Sequence, residues 1–265
     1  IPSIASASGV AFEQATVQND GLLSGNLAYT TSFRPVDRGP WQGNAKKFCL
    51  LPPEPPAPDP GTCLFTYNPA GDLVANENPD DIFYPTDASG TNTRLGGSGK
   101  RVWQDLFGIT DSTAAVPANP LSRRNILTYK PGTPNYIRLN GSASFDQADS
   151  YSSTICEHYK LLNKLHGFTD QVFDCAGGDY RPVNFDDWPM GDTIHGGTAL
   201  LRYQANCDAT NSCLLATVSN DGMLHIFDTS DGLETQASVP GHLWRPNGPA
   251  VHQMKDLMNQ PTLTE

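Results

Sequence analysis

The sequence predicts an all-β fold with minor helix, of the propeller type, carrying long loop insertions. The first observation is the stretch Val218–Glu234, V-S-N-D-G-M-L-H-I-F-D-T-S-D-G-L-E. Asn220-Asp221-Gly222 supplies the positive-φ geometry of a tight hairpin turn. Met223, His225 and Phe227 alternate with Leu224 and Ile226, the period of a strand. Asp228 and Asp231-Gly232 close the next turn, and strand pairs bracketed by such turns build propeller blades. The second observation is the same grammar near the other end, where Leu27, Tyr29, Thr31 and Phe33 alternate ahead of a turn at 34–40 and a strand over 41–48. The third is the 24 glycines and 22 prolines among 265 residues, which suit many short strands joined by turns better than helices.

Taken in order, residues 11–50 read as strands forming one blade hairpin. Residues 51–62 are a Pro-rich loop that cannot be a central strand or a helix. Residues 66–100 are rich in Asn, Asp and Gly and read as a loop insertion. Arg101–Phe107 reads as a short helix or strand. Asn125–Tyr129 and Tyr136–Leu139 flank Pro-Gly-Thr-Pro as a further hairpin. One helix is predicted over Ser153–His166, with Ile155, Tyr159, Leu162 and Leu165 on one face and Gly167 as its stop. Thr198–Tyr203 and Leu214–Ser219 are strands, and Trp244–Asn259 is loop and then a short helix. The whole of 1–265 is read as one domain.

The net charge of −11 argues against a nucleic-acid partner, which needs a basic stripe. No apolar run approaches the ~18–20 residues that span a bilayer. Ile1–Val10 is small and polar, unlike a signal peptide or a pilin helix, so the chain starts like a mature or excised product. Six cysteines without C-x-x-C spacing point to disulfides in an oxidising compartment. Fifteen connectivities exist in principle; the nearest-neighbour one is chosen, Cys49–Cys63, Cys156–Cys175 and Cys207–Cys213. The first would tie off the Pro-rich loop and contribute about 3 kcal/mol.

Candidate chemistry is sparse. Asn76, Asn78, Asp80 and Asp87 stand at positions one, three, five and twelve of a calcium loop, where oxygen ligands suit Ca2+. Asp81 occupies the position that needs Gly, and Pro79 stiffens the middle, so a solvated acidic loop is preferred. Ca2+ is the sole cofactor candidate and none is required. Asp186-Asp187 with Asp192 and His195 could form an acid/base or metal cluster, but His195 and His225 are read as buried, structural histidines. Asp221 and Asp228 are read as binding their own turn backbones. No G-x-S-x-G, H-E-x-x-H or P-loop motif is present, and the expectation is a non-enzyme.

Three segments, in order, resemble the C-terminal propeller domain of the PilY/PilC-type proteins of type IV pili. They are Ser32–Phe48 with Trp41, Gly43 and Asn44; Met190–Thr198 with Gly191, Asp192 and His195; and Asn220–Asp228 with Asp221 and Gly222. The second departs from the family pattern, with Gly196-Gly197-Thr198 where the family has Ser-Ser-Pro. The resemblance implies a pilus-tip adhesin or assembly domain, exported to the cell surface, that binds minor pilins or a host or surface receptor. It also implies that the chain is the N-terminal part of a larger propeller, because the family continues with further strands. Either an incomplete ring is completed by other strands, from the rest of a precursor or another chain, or a reduced sheet closes on itself. Two other functions are weighed: a structural subunit of an extracellular filament or surface complex, and a quinoprotein-like propeller enzyme.

Overall fold

The computed structural model describes residues 23–24, 27–34, 41–49, 65–67, 73–75, 97–109, 119–130, 135–142, 144–150, 152–168, 188–193, 197–203 and 213–244. Strands dominate them. β1 (Leu23–Ser24), β2 (Leu27–Arg34) and β3 (Gln42–Cys49) form a three-stranded antiparallel sheet. β4 (Phe65–Tyr67) and β5 (Leu73–Ala75) form a separate hairpin. The largest sheet has six strands: β6 (Ile126–Tyr129), β7 (Tyr136–Arg138), β8 (Thr198–Leu201), β9 (Leu214–Val218), β10 (Leu224–Asp228) and β11 (Glu234–Val239). Their spatial order is β7-β6-β11-β10-β9-β8.

β8 to β11 form a four-stranded antiparallel meander, because each consecutive pair is joined directly through a turn or loop. β6 then lies parallel to β11, with Ala237 opposite Ile126 and Val239 opposite Thr128. No short turn links those two strands, so nothing forces antiparallel pairing. The expected propeller ring goes no further than this one meander: among the described residues neither a closed ring nor a barrel is formed. The stretch 66–100, expected as loop, holds most of the β4–β5 hairpin and the start of a helix. The Pro-rich loop at 51–62 and all but the start of 244–259 lie outside the described residues.

Two helical segments flank the sheets. α1 (Gly97–Arg101) runs straight into a π-helical turn, Val102–Leu106, which resolves the helix-or-strand ambiguity at Arg101–Phe107. α2 (Ile155–Leu165) starts where Thr154 Oγ1 accepts the Glu157 N–H at 3.1 Å and Glu157 Oε2 accepts the Ser153 N–H at 2.7 Å. This reciprocal arrangement satisfies amides that the first turn leaves open. The helix ends in a Schellman turn. Gly167 takes φ 101°, its N–H donates to Lys164 O, and the Phe168 N–H donates to Asn163 O at 2.9 Å. The buried face holds the expected Leu162 and Leu165, with Tyr159 packed partly buried against it, but it is wider than expected and leaves out Ile155. His158, Leu161, Leu162, Asn163 and Leu165 are buried, while Ile155, in the first turn, is 56% exposed.

The six-stranded sheet buries one face, and two apolar clusters share that face. Leu200, Leu215 and Phe227 pack with Tyr29 and Ala45 of the smaller sheet and with Val102, Trp103 and Phe107 of the π turn. Ile126, Ala237, Val239 and Met223 pack with Leu161, Leu162 and Leu165 of α2. Between them, on the same face, lie His225 and Thr217, directly opposed on neighbouring strands and fully buried. Cys156 and Cys213 each take part in a disulfide, and no cysteine is free among the described residues. Their expected partners, Cys175 and Cys207, and the expected Cys49–Cys63 bond lie outside the described side chains.

The β9–β10 turn has the predicted geometry. Gly222 takes φ 81° and its N–H donates to Ser219 O at 3.0 Å. Gly222→Val places a β-branched residue in the left-handed region, at about 1–3 kcal/mol. Urea denaturation should show that loss, and a variant as stable as wild type would contradict the turn.

Candidate functional site

The site is the junction where the three motif segments meet. Gln42 at the start of β3 bridges Gly191, and the Gly43 N–H donates to Met190 O at 2.8 Å. The backbones approach so closely that a Cβ on Gly43 would lie 1.9 Å from Gly191 O. Only glycine fits there, which explains Gly43 by contact rather than by turn geometry. Gly191 in turn lies against Asp221, and its N–H donates to Asp221 Oδ2 at 2.7 Å. Asp192 and Asn220 are joined twice: the Asn220 N–H donates to Asp192 O, and Asn220 Nδ2 donates to Asp192 Oδ1, both at 2.7 Å.

Neighbouring elements lock the junction. Asn44 Oδ1 accepts the Gly99 N–H at 2.9 Å. Trp188 Nε1 donates to Gly43 O at 2.6 Å while its ring covers Gly99. Trp41 stacks on Phe33 at 5.8 Å and stays partly exposed. Asp228 holds its own turn, accepting from Ser230 N and Ser230 Oγ, and Asp231 accepts the Leu233 N–H. The basic strand residue Lys47 reaches this turn, donating to Thr229 O and Ser230 O at 3.3 Å.

Beneath the junction runs a buried chain of charges. Arg124 grips Glu234 through two parallel bonds, Nε to Oε2 and Nη2 to Oε1, each 2.7 Å. Glu234 Oε1 also accepts from His225 Nδ1 at 2.7 Å. His225 Nε2 lies 3.0 Å from Asp221 Oδ2 and 2.9 Å from Ser219 Oγ. Ser219 Oγ donates to Asp221 Oδ1, which also accepts the Met223 N–H at 3.0 Å. At the far end Arg124 Nη1 donates to Leu165 O, at the C-terminal end of α2, where a cation is favoured. Glu234 reaches this face because the β10–β11 register slips after Ile226, so that Phe227 opposes Glu234 and Thr235 bulges outward.

The electrostatics follow from the geometry. Burial works against a charged imidazole at His225, but Asp221 beside it and bonds to both carboxylates outweigh this and push it from 6.5 up to about 9. Burial likewise opposes ionised Glu234, yet the Arg124 guanidinium holds it down at about 2, against an ordinary 4.5. Burial opposes ionised Asp221 as well, but the charge of His225 and the hydrogen bonds from His225, Ser219 and the Gly191 amide together outweigh it and lower its pKa. Two cations thus face two anions with every strong donor and acceptor used. His166, buried and repelled by Arg124, is pushed down to about 3 and stays neutral, with Nε2 bonded to Leu139 O.

Ser219, His225 and Glu234 have the connectivity of a Ser-His-acid triad. The chemistry does not follow. A doubly protonated imidazole has no lone pair to take the serine proton, and the Ser219 hydroxyl already donates to Asp221. Ser219 is 4% exposed and His225 is fully buried. The arrangement supports structure rather than acyl transfer.

Of the expected site residues, the structure therefore brings together Trp41, Gly43, Asn44, Gly191, Asp192, Asn220, Asp221 and Gly222. Asp228 holds a separate turn. His195, Asp186, Asp187 and the calcium candidates Asn76, Asn78, Asp80 and Asp87 lie outside the described residues. Among the described residues no group of three or more His, Cys, Asp or Glu could hold a metal ion. No described helix is long and apolar enough to cross a membrane. Sequence reasoning missed Arg124, Ser219, Glu234 and Trp188. Ser219 and Glu234 flank the recognised turn and strand, a local signal, whereas Arg124 and Trp188 carry none. Comparison with protein-family models, curated proteins and solved structures finds no match.

The charge chain sets the pH dependence of stability. His225 is raised, so its contribution is complete below 6.5 and is lost as pH rises through about 9. Glu234 is lowered, so its contribution is complete above 4.5 and is lost as pH falls towards about 2. His166 is lowered, so acidification below 6.5 favours the unfolded chain, which alone takes up that proton. Urea midpoints should peak near pH 6.5. Glu234→Gln should cost about 3–5 kcal/mol at that pH, because Arg124 is left buried without its counter-charge. A midpoint that keeps rising through pH 9 would contradict the charged state of His225.

Proposed function

We propose that this chain is a non-enzymatic, surface-exposed domain of a type IV pilus tip or assembly protein, with a propeller-type architecture, that binds pilins or surface receptors. One observation carries the proposal. The three segments that resemble the PilY/PilC family, the first far ahead of the other two in sequence, join at a single junction, through Gly43–Met190, Gly191–Asp221 and Asp192–Asn220. Motifs retained by chance resemblance have no reason to be in mutual contact. The β8–β11 meander supports treating this region as one blade, whose ring other strands would complete.

The chemistry of the junction favours a scaffold. Its charges neutralise one another in the interior, and its side chains hold loops in place, as binding loops require of a rigid framework. A quinoprotein-like enzyme would use tryptophan faces as a stacking platform, but Trp103, Trp188 and Trp244 are spent in the core. A structural subunit of a surface filament is the second reading, favoured by the edge of the six-stranded sheet at β8.

Antibody raised against the purified chain tests the assignment. Immunogold labelling of piliated cells of the source organism should mark filament tips and the outer surface. The label should disappear when the coding region is deleted, together with surface pili or pilus-dependent adhesion. Label confined to the cell interior, or normal piliation and adhesion after deletion, would overturn it.

A further inference from the structure

Among the described residues β7 and β8 are the two edges of the six-stranded sheet, and they are built differently. β7 is three residues long and carries a charge, Arg138, whose Nη2 donates to Ser122 O and Arg124 O, each at 2.9 Å. β8 reads Thr-Ala-Leu-Leu and has neither charge nor proline, the usual devices that stop an edge from pairing. Its outward-facing backbone groups can be identified. The Val218 N–H donates to Gly197 O, so Gly197, Ala199 and Leu201 turn their polar groups towards β9. In an antiparallel ladder the bonding alternates, so Thr198 and Leu200 turn theirs away from it. The close Thr198 Oγ1–Thr217 Oγ1 contact, 3.0 Å, is what a non-bonded pair produces.

We infer that β8 pairs with β8 of a second copy of this chain, antiparallel about a twofold axis at Ala199. The edge is self-complementary in that register. Thr198 of each copy exchanges two backbone bonds with Leu200 of the other, satisfying the outward-facing groups. Ala199 meets its own counterpart in a non-bonded pair, where Cα atoms come within about 4.5 Å and the two methyl groups fit without obstruction. Leu201, 39% exposed on the outer face, then falls opposite Gly197 of the second copy. A Cβ on Gly197 would meet nothing within 4 Å, so there is room for the leucine. Val218, 47% exposed on the adjacent strand, extends the same apolar surface. Isologous pairing of this kind closes at a dimer. The contact depends on the β8 edge alone and not on the pilus assignment.

Sedimentation equilibrium of the chain, with enough salt to screen its net charge of −11, should give a reversible dimer of 28.6 kDa subunits. Ala199→Lys sets like charges directly opposite each other and should raise the Kd roughly tenfold or more while leaving the melting temperature of the dilute monomer unchanged, because Ala199 is exposed. An equimolar mixture of Ala199→Lys and Ala199→Glu should recover the dimer. Ala199→Cys should oxidise to a disulfide between copies, and Val218→Cys, one strand inward, should not. A wild-type chain that stays at 28.6 kDa at every concentration overturns the inference. So does an Ala199→Lys variant that dimerises like wild type.

Discussion

The chain Arg124–Glu234–His225–Asp221 sits where an all-apolar fold would have continuous core. Its members come from the strands β10 and β11, the β9–β10 turn and a residue two positions ahead of β6, and its end caps α2. Burying four charges is costly unless each finds its counter-charge and its remaining hydrogen bonds. Here the geometry meets that condition: Arg124 is bidentate, both ring nitrogens of His225 are used, and Asp221 is held by backbone amides on either side. Loss of one member strands the next. The two apolar clusters therefore keep a fixed relation to each other, since the polar chain between them has few other satisfied arrangements.

The same chain reaches the junction above it. Asp221 accepts from Gly191 with the oxygen that faces His225, so the position of the Met190–Gly191 segment is tied to the charge of an imidazole in the core. Gly191 is in contact with Gly43, and through it with Trp188, Asn44 and the start of α1. A single carboxylate thus connects the core to the 188–191 segment and, through it, to β3 and α1. Such a framework can present loops without itself moving.

The sequence carried the local features and not the distant ones. Alternation at Met223, His225 and Phe227, and Asp-Gly at both ends, located β10 and its turns, and Gly222 has the positive φ such a turn needs. Asp221 and Asp228 bind backbone as Asx residues do. Glu234 was hidden by the bulge at Thr235, since simple alternation back from Ala237 gives the inner face to Thr235 rather than to Glu234. Arg124 lies 110 residues from its partner, with no local pattern to mark a buried guanidinium. The parallel pairing of β6 with β11 was equally illegible, because pairing without a connecting turn leaves no spacing to read. On α2 the apolar spacing located the helix and Leu162 and Leu165 on its buried face, but it included Ile155, which belongs to an exposed first turn, and could not show that the polar His158 and Asn163 are buried.

Nitrogen NMR of the His225 imidazole measures the central claim directly. With both neighbours ionised, His225 should be doubly protonated at neutral pH, both ring nitrogens should show the imidazolium shift, and the titration midpoint should lie near 9. A neutral tautomer at that pH, with one nitrogen unprotonated, would contradict the account. It would leave Nε2 a base beside the Ser219 hydroxyl instead of a fixed charge in the core.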